Sequence, residues 1–224
     1  MTCSQIYRIS GLSLVLGAIV FVLHVVLRSW MTAGVDPSII GKQGIWMSVN
    51  VLGVIGALLV LLGMPAMCAR VVAKAGVLGL VGVALIAVAW MFFGLFLSLY
   101  GALVSPWLAA KAPSLVATSA PLPAGIVVAF VVGLGVWFAG GVLFGIPFMR
   151  GRIGPRWVGY LLPTLAVWVV LGVFLVASSG PAANLAVNLL SNLGPVLLLV
   201  AIGYLGSQMW QDTGLSSART DPLR

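Results

Sequence analysis

The chain of 224 residues is 62% hydrophobic and 6% charged, with a mean hydropathy of +1.23 and a formal net charge of +8. Soluble domains carry about a quarter of their residues as charges, so a water-soluble fold is excluded, and so is an aqueous domain hidden between apolar runs. The chain has no glutamate, and its three aspartates, Asp36, Asp212 and Asp221, fall outside those runs, which removes the carboxylates that pumps, proton relays and metalloenzymes place inside their spans.

A membrane-crossing helix needs about 20 mainly apolar residues. Six segments reach that length: 9–27, 47–68, 76–104, 124–149, 157–178 and 184–206. Lipid offers the backbone no hydrogen-bond partner, so each segment must be helical, and barrel strands would be shorter and alternating. The expected fold class is therefore all-α: a polytopic membrane protein, one bundle of six transmembrane helices over residues 1–206, followed by a polar cytoplasmic tail, 207–224.

In chain order, Arg8 precedes the first run, which is too long for a secretory signal and lacks a small-residue cleavage site, so it reads as a retained span. Its far end carries His24 and Arg28, one turn apart. The loop 29–46 follows, and the second span opens with Ser48 and Asn50. Cys3 and Cys68 both fall on the side expected to be cytoplasmic, where thiols stay reduced. An acyl anchor on Cys3 is the sharper alternative, without specific support.

The third span starts with Gly76, Gly79 and Gly82, then carries Trp90, Phe93, Phe96, Ser98 and Tyr100. The loop 105–123 holds Pro106, Pro113, Pro121 and Pro123, a composition that stiffens a chain. The fourth span aligns Phe130, Trp137, Phe144 and Phe148 and contains Gly141-x-x-x-Gly145. These glycines are candidate helix-packing surfaces, and partner docking is their sharper meaning. The aromatic rows would face lipid or a neighbouring helix, or else form a pigment or quinone groove. On the sixth span, Asn184, Asn188, Ser191 and Asn192 share an arc of about 80°, and Pro195 removes an amide donor nearby.

Orientation follows from the cations. With a cytoplasmic N-terminus, Arg8, Arg70, Lys74, Arg150, Arg152, Arg156, Arg219 and Arg224 lie inside and Arg28, Lys42 and Lys111 outside, so both termini are expected to be cytoplasmic. Trp30, Trp46 and Trp107 then fall at the outer interface and Trp157 and Trp210 at the inner one. Leu62-Gly63-Met64-Pro65-Ala66-Met67 is similar to Phe144-Gly145-Ile146-Pro147-Phe148-Met149, and each precedes basic residues. Three in-out-in hairpins, by duplication or by the shared demands of cytoplasmic turns, would give this pattern.

Candidate ligand-binding residues are His24, Arg28, Asn50, Tyr100, Asn188 and Asn192, all expected at one depth in the outer half. Their structural alternative is helix-to-helix bonding for the amides and His24, and snorkelling for Arg28. No catalytic set, metal cluster, Cys-x-x-Cys or phosphate loop is present in the sequence. No cofactor is expected, and no metal site; His24 is the one side chain suited to axial ligation of a haem or other tetrapyrrole. The expected partners are the lipid bilayer and other membrane subunits or a second copy, not nucleic acid, because the basic residues form no stripe. The leading function is a non-catalytic accessory subunit of a larger membrane complex. A small-molecule carrier or exporter and a tetrapyrrole- or carotenoid-binding subunit are the alternatives.

Overall fold

The computed structural model describes residues 3–117, 123–179 and 185–211, and among these the chain is helical throughout with no strand. Among the described residues, five helices are long and apolar enough to cross a membrane: α1 (Cys3–Met31), α3 (Gly44–Arg70), α4 (Lys74–Lys111), α5 (Ala124–Met149) and α8 (Leu193–Gln211). A short helix α2 (Pro37–Ile40) sits between α1 and α3; α6 (Arg156–Ser179) and α7 (Leu185–Ser191) lie between α5 and α8. The chain thus has the character of a multi-pass membrane protein.

Backbone hydrogen bonding runs on from Gly44 to Trp90, but Gly76, two residues into α4, adopts φ 67 and ψ −159 and kinks the chain where α4 leaves α3. That positive φ is open to glycine and strained for other residues. Gly76 was expected to pack a helix; it forms the break instead, with no heavy atom within 4 Å of where a Cβ would stand. Gly79 is buried, and Gly82, Gly141 and Gly145 lie at close helix contacts. A Cβ on Gly82 would collide with the backbone of Leu143 and Phe144, one on Gly141 would stand 2.6 Å from the Leu162 carbonyl, and Gly145 and Gly159 face each other.

Similar contacts join the other helices. Gly17 and Gly56 bring α1 onto α3 at Val60 and Phe21, while Gly11 and Gly206 bring α1 onto α8. Because α6 also packs on α8, each long helix touches its neighbours and the last touches the first. Interfaces of small residues suit lipid, where no hydrophobic force drives helices together and close packing must supply the attraction. Trp90, Phe144, Phe148, Leu162, Leu198 and Ile202 fill the centre, each nearly inaccessible.

Two local features depart from regular helix. In α4, Met91–Phe96 and Tyr100–Val104 are π-helical, flanking the single turn Leu97–Leu99. The expected sixth segment, 184–206, is interrupted at Asn192, between α7 and α8. Pro195 explains the break, since it cannot donate the amide hydrogen bond that would carry the helix across this point. The helix then continues past Ser207 to Gln211, into the stretch expected to be tail; residues 212–224 lie outside the described residues. At the far ends of α1 and α4, Gly41, after α2, packs on Ala109 and the Ser105 carbonyl in the last turns of α4.

Candidate functional site

The last turns of α1 meet α3 and the π-distorted part of α4 in a buried polar seam. His24 is 2% exposed, and its Nδ1 lies 2.8 Å from the Val49 carbonyl. A carbonyl only accepts, so Nδ1 carries the proton and Nε2 keeps its lone pair. Gly53 makes the approach possible: a Cβ there would stand 2.9 Å from two imidazole carbons and 2.7 Å from Ser98 Oγ. Phe21 closes the ring's other flank, centroid to centroid 5.2 Å. Ser98 donates to the Gly94 carbonyl at 2.6 Å, supplying a hydrogen bond where the wide helical turn disturbs the regular ladder.

Asn50, one turn into α3, is fully buried. Its Nδ2 donates to the Trp46 carbonyl at 2.8 Å, while Oδ1 is pressed against Gly101 of α4 and has no hydrogen-bond partner. Trp46 is buried too, with Nε1 unpartnered. The Arg28 guanidinium reaches back over the Trp46 ring, 5.8 Å from its centroid. That geometry suits a cation–π contact and keeps the charge at the bundle end. Tyr100 is half-buried at the start of the second π stretch.

A second cluster joins α1 to the break between α7 and α8. Asn188, 8% exposed, donates to Thr32 Oγ1 at 3.2 Å and to the Ser29 carbonyl at 3.4 Å. Asn192 donates to Ser29 Oγ at 3.1 Å and to the Asn188 carbonyl at 2.8 Å. Ser191 Oγ also donates to that carbonyl, and Thr32 Oγ1 to the Arg28 carbonyl. Asn184 lies outside the described residues.

Of the six residues expected to converge, five fall into two groups on different sides of α1, and Tyr100, half-buried on α4, joins neither. His24 and Asn50, with Arg28 above them, belong to the seam; Asn188 and Asn192 belong to the clamp. The helical period explains the division, because Ser29 sits about 140° around the axis from His24. Sequence reasoning missed Ser29, Thr32, Gly53 and Gly101. Ser29 and Thr32 had a usable signal, two hydroxyls one turn apart at the end of an apolar helix; the glycines had none beyond their abundance.

Chemically, the seam offers hydrogen-bond acceptors, the His24 Nε2 lone pair and Asn50 Oδ1, and one buried donor, Trp46 Nε1. Among the described residues no group of three His, Cys, Asp or Glu gathers to hold a metal. Axial ligation of a tetrapyrrole by His24 would require Phe21 and Gly53 to part, since the chain's own groups enclose the ring. The aromatic rows of α4 and α5 fill each other: Phe130 meets Phe92 and Phe93 at 5.7 and 5.6 Å, and Trp137 lies 5.0 Å from Phe93 and 6.2 Å from Trp90. Compared with protein-family models, curated proteins and solved structures, the chain finds no match.

Proposed function

We propose that this is a six-span membrane protein with both termini cytoplasmic, built as three hairpins, serving as a non-catalytic accessory subunit of a larger membrane complex. In this reading α6 is the fifth span, and α7 with α8 forms the sixth. The observation that carries it is the uneven cover of the helices. In α1, α3 and α8, 44% of the most apolar stretch is buried within the chain, against 17% in α5. The first half of α5 presents Val128, Val131 and Val132, each about 60% exposed, and Gly135 has open space around it. A partner helix would complete the packing that α1, α3 and α8 obtain within the chain.

A photo-crosslinker at Val128 or Val131 tests this in intact membranes. Adducts to one defined protein from these positions, and none from the equally exposed Ile19 of α1 or Leu62 of α3, are expected. Adducts to lipid alone at all four positions would sink the reading. Threading is checked by thiol labelling with Cys3 and Cys68 replaced by serine and single cysteines placed at 74 and 152, both reacting from the cytoplasmic face.

A second reading, a small-molecule carrier, draws on the unpartnered Asn50 Oδ1 beside His24. A ligand hydroxyl or amide would satisfy that acceptor. Without an intramembrane acid it would work by facilitated passage. Flux of small hydrogen-bonding solutes into proteoliposomes, abolished by Asn50→Leu with the fold intact, would favour it over the subunit reading.

A further inference from the structure

The opposite end of the bundle, where α1, α4 and α6 begin and α3, α5 and α8 end, collects Arg8, Arg70, Lys74, Arg150, Arg152 and Arg156. Among the described residues the only acid, Asp36, lies at the other end, where it caps α2 through Ser38. Residues 212–224 add two aspartates and two arginines, whose side-chain charges cancel.

Three of these cations share one tight turn. The Arg152 amide donates to the Pro147 carbonyl and the Gly151 amide to that of Phe148, at 3.0 and 2.8 Å, with Gly151 at φ 68. This double closure ends a helix sharply and needs a glycine at the left-handed position. Arg150 and Arg152 therefore stand on either side of Gly151, and Arg156 folds back so that its Nε lies 3.9 Å from where a Gly151 Cβ would be. All three are exposed. Like charges drawn together, with no acid near them among the described residues, repel one another until a counter-anion joins them.

The surroundings identify that anion. Trp157, next to Arg156, and Trp210, over which Arg8 lies 4.9 Å from the ring centroid, are each 41% exposed. Just beyond them Tyr160 and Val77 are 58% and 75% exposed. Half-exposed indoles mark headgroup depth, and the apolar side chains below them would lie against acyl chains. Resting on the reading of the chain as membrane-spanning, we propose that the turn Arg150–Arg156 binds the phosphate-bearing headgroup of an anionic phospholipid. Arg8 and Lys74 extend the positive field around it.

The test reconstitutes the full chain in phosphatidylcholine vesicles doped with brominated phosphatidylglycerol or brominated phosphatidylcholine, and reads quenching of tryptophan fluorescence. Wild type is expected to prefer the anionic quencher at low salt. Arg150→Gln/Arg152→Gln/Arg156→Gln should weaken that preference about tenfold, the triple lysine variant should keep it, and so should Lys42→Gln/Lys111→Gln at the far end. Unchanged preference in the glutamine variant, or equal loss in the far-end variant, overturns the proposal. Insertion into neutral vesicles without anionic preference defeats this inference alone, whereas failure to insert into any vesicle defeats the membrane reading beneath it. Circular dichroism of each variant confirms that helix content is retained.

Discussion

The seam around His24 and the clamp around Asn188 both fasten α1, yet they do it by different means. In the seam, glycines let backbones approach until His24 reaches the Val49 carbonyl of α3, while Asn50 bonds back to its own helix, and burial is almost complete. In the clamp, side chains bond to side chains and to a helix end across partly buried ground. The difference teaches which changes each can absorb: the seam is limited by space, the clamp by hydrogen bonds.

The largest effect should come from filling the seam. Gly101→Val forces a side chain into the Asn50 amide and should cost about 3 kcal/mol, read as a lowered thermal midpoint in detergent; Gly135→Val, which faces open space, should leave that midpoint in place. If both variants melt alike, the seam is looser than described. Next is His24→Leu, which loses the bond to the Val49 carbonyl and the polar edge facing Phe21 and is expected to destabilise by about 1–2 kcal/mol.

The clamp should yield from two substitutions about what His24 yields from one. Asn188→Leu with Asn192→Leu removes the cross-helix bonds at roughly 0.6 kcal/mol per contact, so a loss near 1–2 kcal/mol is expected, with amide exchange accelerated in α7 but not in α3. Acceleration in both would mean that the two regions open as one unit. The smallest effect belongs to Asn50→Leu. It gives up the bond to Trp46 but also removes an acceptor left without a partner, and these changes offset each other to within about 1 kcal/mol.

The sequence made the apolar helices legible because length and hydropathy suffice for that, and the cationic turns were plain from composition. Position along each helix was readable too, which is why His24, Asn50 and Asn188 were all expected near one end of the bundle. Azimuth was not: whether Asn188 faces His24 or Ser29 depends on where α7 packs, and no periodicity within one helix contains that. Gly76 shows the same limit. In a run of glycines spaced by three, nothing local separates the one that turns the chain from the one, Gly82, that admits a neighbouring backbone.

The paired wide turns of α4 carry a consequence for sequence change. A turn closed by i→i+5 bonds holds one residue more than an ordinary helical turn, so Met91–Phe96 contains a surplus residue. Deleting one position there lets the remaining amides close in the usual spacing, with the far part of α4 left near its present orientation. The same deletion in α3 would swing Asn50 about 100° away from α4. Length variation should therefore be tolerated in this one helix and excluded from the helix it leans on.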